Sequence, residues 1–414
     1  MRPQRRKRDG IDMQYRRDRY EKELSILGFG CMRFPRVRGR IDMAAAESML
    51  LSAAGRGVNY FDTAYVYPGS EEAVGRIIAK NGLRQKVYLA TKLPLFMCKS
   101  PADFDKFFNK SLERLQTDYI DYYLMHMITT PEQWRSLCGM GIEGWIDGQR
   151  ARGKIRQLGF SFHGKREDFV GVADARDWDF CMIQYNYLDV NNQASRSGLV
   201  HAASKGIPVF VMEPLLGGRL ADPKSLPDRA VQTMNAADPS LTPAARALRW
   251  VWNHKEVTLL LSGMSSQTQL DENIALAERI AAPNFLSEDE LGVIDKVTGI
   301  VNEANKIPCT GCGYCIPCPT GVNIPGCFAA YNDSYKRGRF AALKPYVMAT
   351  AALTAKNGLA SSCKSCGKCE EHCPQGIKIA KSLKSAARRL EPFWFRAGIS
   401  AVRRFTGFKA DKGR

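Results

Sequence analysis

From residue 23 to about residue 280, the chain alternates short apolar segments with longer segments in which apolar residues recur every three or four positions. The short segments are apolar almost throughout, which is typical of parallel strands whose sheet is covered by helices. We count eight of them: ELSILGFG, NYFDTA, VYLATKL, YIDYYLMH, IRQLGFSF, FCMIQYNYL, PVFVMEPL and VTLLLSGM. Eight strand–helix units in about 260 residues predict a (β/α)8 TIM barrel.

The segments between the strands predict helices, for example AAAESMLLSAAGRG and FDKFFNKSLERL. A glycine follows several of them, and glycine is the residue that most often adopts a positive φ just after a helix. These glycines are Gly57, Gly82, Gly153 and Gly206. A doubly wound open sheet would show the same alternation, but Gly28 and Gly30 after the first strand lack the third glycine of a dinucleotide fingerprint. We therefore favour the barrel.

Polar side chains follow three neighbouring strands of the predicted barrel. Asp62 and Tyr67 come after the second strand, Lys92 ends the third and His126 ends the fourth. The carboxyl ends of barrel strands meet at one face, so these groups should lie together. A phenol can supply the proton that a ketone oxygen takes up on reduction, and a nearby ammonium held by a carboxylate would lower its pKa. An imidazole can orient the carbonyl.

The stretches NYFDTAYVY, VYLATK, DYYLMH and ARGKIRQLGFSFH resemble the aldo/keto reductases, in the same order along the chain. The resemblance covers roughly residues 12–280 and implies an NAD(P)H-dependent oxidoreductase that reduces an aldehyde or ketone. It implies that Tyr67 is the general acid, that Lys92 and Asp62 adjust the pKa of Tyr67, and that His126 orients the substrate.

The same resemblance implies a coenzyme site at the barrel mouth. It places Ser161 and Gln184 at the nicotinamide carboxamide, the loop with Gly217 and Gly218 at the pyrophosphate, and Glu272 and Asn273 at the adenine end. Three departures from the family pattern stand out. Phe162 and His163 follow the serine where the family often has asparagine, Met212 replaces a stacking aromatic residue, and Gly263 and Gln269 replace the cations that grip a 2′-phosphate. The choice between NAD and NADP stays open.

Cysteine is concentrated near the end of the chain. Nine of the thirteen cysteines lie in residues 309–373, whereas Cys31, Cys98, Cys138 and Cys181 are scattered through the first three hundred residues. The basic start MRPQRRKRDG is not followed by the apolar segment of a signal peptide, so we expect a cytoplasmic protein. Crowded cysteines in such a chain indicate metal binding rather than disulfides.

Two motifs hold these cysteines, CTGCGYCIPCP and CKSCGKCEEHCP. The second is the bacterial ferredoxin run, and the first is one residue shorter before its last cysteine. Because the fourth cysteine of such a run ligates the other cluster in two-cluster ferredoxins, we expect two 4Fe-4S clusters. The first would take Cys309, Cys312, Cys315 and Cys373, and the second Cys363, Cys366, Cys369 and Cys318. The short first motif and Cys327 leave open a single cluster or uncrossed ligation. Zinc is less compatible with so many closely spaced thiols.

The stretch between the two motifs looks mostly helical, so we expect a small, mainly helical ferredoxin-like domain. The chain then divides into a basic arm (residues 1–10), a barrel (residues 11–298), this iron–sulfur domain (residues 299–385) and a tail (residues 386–414). Aldo/keto reductases with such an appended domain form a recognisable subgroup, which this chain resembles over its full length.

The net charge of +18 lies mainly at the two ends of the chain. Residues 1–10 contain five basic residues and one acidic residue, and residues 378–414 contain eleven basic and two acidic residues. Such ends are solvated, or they contact an acidic redox partner or an anionic membrane surface; no recognition motif indicates nucleic acid. The tail also carries aromatic residues that pack on its own domain or lie in a membrane interface: Phe393, Trp394, Phe395, Phe405 and Phe408.

Three hypotheses follow from the sequence. The chain is a carbonyl reductase with clusters for electron transfer or structure, an electron-transfer protein whose barrel serves for docking, or a barrel positioned by a purely structural cluster domain. The substrate is not readable, because loops at the barrel mouth determine it.

Overall fold

The computed structural model describes residues 13–336, 338–350, 352 and 358–405, with only the backbone described for residues 402–405. The predicted basic arm of residues 1–10 lies outside the described residues, as does Phe408 in the tail. No helix in the described part of the chain is both long and apolar enough to cross a membrane.

The strands of the described residues form one barrel and two hairpins. In chain order they are β1 (Tyr15–Arg17), β2 (Glu23–Ser25), β3 (Leu27–Gly30), β4 (Arg36–Val37), β5 (Arg40–Ile41), β6 (Tyr60–Asp62), β7 (Tyr88–Leu93), β8 (Ile120–Ile128), β9 (Ile155–Phe162), β10 (Phe180–Gln184), β11 (Val209–Met212) and β12 (Val257–Ser262). The last seven strands and β3 close a parallel barrel in which β12 pairs with β3. Each of the eight predicted strands supplies one barrel strand, so the predicted barrel is confirmed.

The first predicted strand, ELSILGFG, contains two strands instead of one. Its first half, β2, pairs antiparallel with β1, and only its second half, β3, enters the barrel. The turn between β1 and β2 brings Asp18 beneath the barrel, where its carboxylate accepts a hydrogen bond of 2.6 Å from the Tyr122 hydroxyl. The hairpin therefore provides a buried partner for a hydroxyl inside the barrel, which an apolar floor would have left unpaired.

Aromatic side chains fill the barrel interior. Phe180 and Phe210 stack with centroids 4.9 Å apart, and Tyr60 meets Tyr122 edge-on at 5.1 Å. Aromatic pairs of this kind contribute about 1 kcal/mol each beyond the area that they bury. The interior is thus a packed core, which leaves the carboxyl face of the strands for a functional site.

Helices cover the barrel and form the rest of the chain: α1 (Met43–Gly55), α2 (Ser70–Lys80), α3 (Pro101–Leu115), α4 (Pro131–Gly139), α5 (Ile142–Ala151), α6 (Arg166–Ala173), α7 (Ser195–Ser204), α8 (Asp228–Ala237), α9 (Pro243–Trp252), α10 (Gln267–Ala277), α11 (Glu288–Ala304), α12 (Ile324–Lys336), α13 (Arg339–Ala349), α14 (Lys368–Glu371), α15 (Ile379–Leu390) and α16 (Phe393–Phe405). Capping boxes begin α3 at Ser100 and α11 at Ser287. The four glycines predicted after helices all have positive φ.

The described residues form two compact units. The first contains the residues up to Pro214 together with Ala247–Leu286, and the second contains Leu215–Arg246 together with the residues from Ser287 on. The segment that follows β11 therefore belongs to the second unit, where its helix α8 packs on α11. The predicted barrel boundary at residue 298 falls inside α11, and the predicted division into four parts stays a prediction.

The second unit is mainly helical, as predicted. Helices α12, α13 and α15 pack on one another around a core that includes Phe328, Tyr346 and Leu383. The Tyr346 hydroxyl donates a hydrogen bond to the carboxylate of Glu391 and accepts one of 2.9 Å from the amide of Ala360. Tyr346 and the buried Glu391 thus connect α13 with the segment before the second cysteine motif.

Candidate functional site

The ends of two neighbouring strands bring a buried ion pair to the carboxyl face of the barrel. Asp62 is the last residue of β6 and Lys92 lies near the end of the neighbouring strand β7. The Lys92 Nζ lies 2.6 Å from the Asp62 Oδ1 and donates a second hydrogen bond of 2.7 Å to the Thr63 carbonyl. Both side chains are almost fully buried. The ammonium is therefore held rigidly, because moving it would leave a charge unpaired inside the protein.

Tyr67 and His126 complete this group. The Lys92 Nζ lies 5.2 Å from the centre of the Tyr67 ring, and the Tyr67 ring meets the His126 ring edge-on with centroids 6.3 Å apart. Tyr67 keeps part of its surface exposed, whereas His126 is buried. The structure thus brings together all four side chains that the sequence predicts at this face.

The sequence predicts that Lys92 lowers the pKa of Tyr67, and this prediction is wrong for the protein alone. Burial raises the pKa of Tyr67 well above its usual value, and the carboxylates of Asp62 and Glu213 raise it further. The physical reason is that burial disfavours the charged phenolate and is the largest influence on this pKa. Tyr67 therefore stays protonated at neutral pH and has a proton to give.

Two neutral imidazoles lie beside Lys92. Burial and the Lys92 charge lower the pKa of His126 well below its usual value, and the same causes lower the pKa of His163 to about 4. His163 follows the last residue of β9, and its amide donates to the Ile128 carbonyl at 3.0 Å. The Nδ1 atoms of both rings are buried and have no hydrogen-bond partner within the part of the chain that the structure describes. Each ring therefore has one nitrogen that no described protein group contacts by a hydrogen bond.

Glu213 is a further ionisable residue at this face. It follows the last residue of β11 with a left-handed φ of 52°, and the Asn186 amide donates to its carbonyl at 3.2 Å. Its Oε2 is buried and has no partner among the described residues. Burial, with a smaller contribution from Asp189, raises the pKa of Glu213 to about 7. A strained backbone and a carboxyl that titrates near neutrality are features of functional sites.

The side chains predicted at the nicotinamide lie at the ends of adjacent strands. The Ser161 Oγ on β9 accepts a hydrogen bond of 2.9 Å from the amide of Met127, where the pairing of β8 and β9 is irregular. This bond satisfies an amide that the shifted register releases from the sheet, and it leaves the Ser161 hydroxyl proton for another acceptor. Met212 pairs with Gln184 in the sheet.

Gln184 is held by a network of polar side chains. Its amide nitrogen donates to Asp189, and its carbonyl oxygen accepts a hydrogen bond of 2.8 Å from Gln193. These bonds fix the Gln184 side chain in place. A ligand at this position would share an amide that already has two partners.

The residues predicted at the adenine end lie on α10, after β12. Asn273 is buried and donates a hydrogen bond of 3.0 Å to the Ser262 hydroxyl, whereas Glu272 is exposed. Gly263 follows directly after β12 in the chain. A Cβ atom at Gly263 would approach the Arg33 side chain to 3.0 Å. The absence of a side chain at Gly263 therefore gives room to the stem of Arg33.

The predicted pyrophosphate loop belongs to the second unit. Gly217 and Gly218 have φ values of 68° and 95°, and a Cβ atom at Gly218 would meet nothing within 4 Å. The next residue, Arg219, donates hydrogen bonds to the carbonyl of Cys309 and, at 2.8 Å, to the Oδ1 of Asn305. The loop is thus bonded to the first cysteine motif.

The eight predicted ligand cysteines line two cavities in the second unit. One cavity is lined by Cys309, Cys312, Cys315 and Cys373, and a second by Cys318, Cys363, Cys366 and Cys369. None of the thirteen cysteines forms a disulfide. No three or more His, Cys, Asp or Glu side chains of the described residues converge closely enough to hold a single metal ion. Four cysteines around an apolar cavity fit a four-iron cluster, in which each iron takes one thiolate.

These two sets of cysteines are the sets that crossed ligation predicts, and the ligation itself stays a prediction. Cys327 lines neither cavity: it is fully buried, and its thiol donates to the Gly358 carbonyl at 3.5 Å. Cys327, which left the assignment of the cluster ligands open in the sequence, is thus part of the helical core of the second unit.

Comparison with known proteins gives two matches to families. Residues 26–297 match the aldo/keto reductase family, and residues 308–377 match a 4Fe-4S dicluster domain. The chain belongs to the aldo/keto reductase family.

Individual relatives and one solved structure show the extent of the similarity. An aldo-keto reductase from Mycolicibacterium vanbaalenii is 29% identical over 283 residues, which cover 65% of this chain and 90% of that protein. An L-galactose dehydrogenase from Arabidopsis thaliana is 28% identical over 284 residues, covering 61% and 84%. The solved holo form of an aldo-keto reductase from Bacillus halodurans is 27% identical, covers 69% of this chain and 96% of that one, and has a TM-score of 0.55.

This aldo/keto reductase is therefore an oxidoreductase with an iron–sulfur domain. Reasoning from the sequence missed two residues, Glu213 at the barrel face and Arg219, which donates a hydrogen bond to the Cys309 carbonyl. Glu213 was visible as the acid near the carboxyl end of the predicted barrel strand PVFVMEPL. The bond from Arg219 to Cys309 spans 90 residues, and no local pattern could have indicated it.

Proposed function

We propose that this aldo/keto reductase reduces an aldehyde or ketone to an alcohol with NADPH or NADH, and that Tyr67 is the general acid. The observation that carries the proposal is the convergence of Tyr67, His126 and the buried Lys92–Asp62 pair at the open face of the barrel. A protonated phenol, a neutral imidazole and a fixed ammonium are the groups that carbonyl reduction needs.

A bound reduced nicotinamide supplies the hydride that forms the new C–H bond at the carbonyl carbon. Tyr67 gives its proton to the carbonyl oxygen, so the phenol O–H bond breaks as the alcohol O–H bond forms. Lys92, 5.2 Å from the ring centre, stabilises the negative charge that develops on Tyr67 as the proton leaves. Asp62 keeps Lys92 in position. His126, neutral at physiological pH, donates a hydrogen bond to the carbonyl oxygen and orients it.

The nucleotide contacts of the proposal come from the family resemblance. Ser161, Gln184 and Met212 would hold the nicotinamide, Glu272 and Asn273 the adenine, and the loop with Gly217 and Gly218 the pyrophosphate. The free hydroxyl proton of Ser161 supports its part, because a carboxamide oxygen is an acceptor for it.

We propose two 4Fe-4S clusters in the second unit, one for each cavity. They would supply one-electron transfer or structural support. The second cavity favours exchange with an acidic redox partner, because Cys366 is exposed between the exposed Lys364 and Lys368. This would make electron transfer to such a partner the second candidate function.

Substituting Tyr67 by Phe tests the proposal. We expect kcat for the anaerobically purified chain, assayed with NADPH and NADH on a panel of aldehydes and ketones, to fall by about 10²–10⁴-fold, the usual contribution of a general acid. Nucleotide affinity should not change. Tyr65→Phe is the matched control in the same loop, since the Tyr65 ring packs on Phe107 and Arg114 instead.

Carbonyl reduction at the unsubstituted rate by Tyr67→Phe would refute the proposal. If the clusters still reduced an acidic acceptor such as a ferredoxin at full rate while neither chain reduced any carbonyl, the electron-transfer function would replace it.

A further inference from the structure

The loop proposed to contact the coenzyme pyrophosphate lies in the same compact unit as the two cysteine motifs. Leu215–Arg246 leaves the barrel unit and belongs to the compact unit that contains both cysteine motifs. Within that unit α8 packs on α11, and the Lys336 ammonium on α12 donates to the carbonyl of Ser225. The loop with Gly217 and Gly218 is therefore anchored in the domain that would hold the clusters.

Arg219 connects this loop directly with a predicted cluster ligand. Its guanidinium donates to the carbonyl of Cys309 and to the side chain of Asn305, the residue that ends α11. A planar guanidinium that makes two bonds at once fixes direction as well as distance. Cys309 lines the first cavity, so the backbone position of Cys309 and the side-chain position of Arg219 depend on each other.

The loop is a tight turn with backbone hydrogen bonds of its own, in which the amides of Gly218 and Leu220 donate to the carbonyl of Leu215 at 2.9 Å and 3.1 Å. Leu216, Gly217 and Gly218 are three consecutive residues with positive φ, and Gly218 has open space around its Cα. Glycine enters this region without steric cost but loses the most conformational freedom when it is ordered. The side chain of Arg219 adds to these local bonds two hydrogen bonds to groups outside the loop, and this tie helps to order the loop before a ligand arrives.

We propose that Arg219 is a positioning residue that makes nucleotide affinity depend on occupancy of the first cluster site. When the four cysteines of the first cavity hold a cluster, the Cys309 backbone is fixed, and Arg219 then holds the loop in the conformation that receives a pyrophosphate. Without a cluster, the motif is released and the loop must be ordered by the nucleotide itself, which weakens binding. The inference rests on the proposed function of the loop.

The coupling has a reciprocal consequence. Because linkage between two binding sites acts in both directions, NADPH bound to the loop must stabilise the cluster held by Cys309. A chelator should therefore remove iron from the first site more slowly when NADPH is present. This readout is a visible absorbance near ~400 nm, the expected band of thiolate-bound clusters, and requires no turnover.

The test compares four anaerobic samples of the full chain: unsubstituted and Arg219→Gln, each with clusters and after their removal by a chelator and ferricyanide. The affinities for NADPH and NADH are titrated by nicotinamide fluorescence. We expect cluster removal to weaken binding by on the order of tenfold, within the usual range of such couplings, and Arg219→Gln to weaken it equally. Cluster removal should then have no further effect on Arg219→Gln, because the tie is already broken.

Matched variants separate the tie from general damage. Arg229→Gln removes an exposed arginine from α8 in the same segment and should leave both affinity and coupling unchanged. Cys366→Ser disrupts the second site and should leave the coupling intact. If Arg219→Gln does not fold or does not retain clusters, Asn305→Ala removes one of the two acceptors of the tie and should weaken nucleotide binding by a smaller factor.

An affinity that is the same with and without clusters would overturn the inference, as would equal effects of cluster removal on the unsubstituted chain and on Arg219→Gln. Failure of the unsubstituted, cluster-loaded chain to bind either NADPH or NADH would instead defeat the proposed function. The two failures are thus distinguishable in one titration.

Discussion

Glu213→Gln tests the electrostatics of the barrel mouth. The substitution keeps the size of a buried side chain but removes its titration. The pKa of Glu213 is raised by burial from its ordinary 4.5 to about 7, and its Oε2 has no partner among the described residues. Ionising this carboxyl in the folded protein therefore costs free energy that a solvated glutamate does not.

The sign follows from the direction of the shift. Below pH 4.5 the carboxyl is protonated in both the folded and the unfolded chain, so its contribution to stability is fully present. Between pH 4.5 and about 7 the unfolded chain loses the proton while the folded chain keeps it, and the free energy of unfolding falls. At about 1.4 kcal/mol for each unit of pKa, the loss reaches about 3 kcal/mol by pH 8.

Since glutamine does not titrate, the free energy of unfolding of Glu213→Gln minus that of the unsubstituted chain should rise by about 3 kcal/mol between pH 4.5 and pH 8. Urea unfolding followed by tryptophan fluorescence measures the barrel, because Trp134, Trp178 and Trp252 are buried in it. Glu167→Gln, an exposed change on α6, is the control and should show no such trend.

The same titration should appear in catalysis. The charge of ionised Glu213 raises the pKa of Tyr67, which makes the phenol a weaker acid. We expect the rate of carbonyl reduction to decline above about pH 7 in the unsubstituted chain and to decline less in Glu213→Gln. A stability difference between the two chains that is constant from pH 4.5 to pH 8 would falsify the assignment of the buried carboxyl.

Two further predictions concern the ion pair and the cluster sites. Lys92→Met should lower the free energy of unfolding of the barrel by about 3–5 kcal/mol, because Asp62 is left buried without its cation. Adding Asp62→Asn to Lys92→Met should recover most of this stability but not the activity. A double variant as unstable as the single one would contradict the pairing. Cys366→Ser should remove about half of the absorbance near ~400 nm, because it disrupts one of two clusters. Cys327→Ala should remove none of this absorbance. Equal losses of absorbance in the two variants would show that Cys327 is a ligand.

The proposed coupling gives the clusters a role that does not depend on direct electron exchange with the nicotinamide. Hydride transfer moves two electrons together, whereas a four-iron cluster moves one, and the sequence contains no flavin fingerprint that would connect the two processes. A cluster that holds the coenzyme loop through Arg219 needs no such connection. Electron exchange at the exposed Cys366 would then be a separate property of the second site.

Much of the fold and part of the site could be predicted from the sequence. The eight apolar segments determined the barrel because a strand between two layers must be apolar throughout, and this requirement is local. The positions of Asp62, Lys92 and His126 followed from the same regularity, since parallel strands end at one face. The first segment showed the limit of this reasoning: β2 and β3 are continuous in sequence, and only pairing with β1 separates them.

By itself, the sequence determined the barrel, the helical iron–sulfur domain and the identity of the groups at each strand end, because periodicity and motif spacing are properties of neighbouring residues. Only the tertiary structure decided how those groups behave. The pKa of Tyr67 is raised because the ring is buried near the carboxylates of Asp62 and Glu213, Glu213 titrates near neutrality because its carboxyl is buried, and Arg219 reaches Cys309 across 90 residues of chain. Burial and Coulomb interactions depend on distance in space, which the order of residues along the chain does not specify.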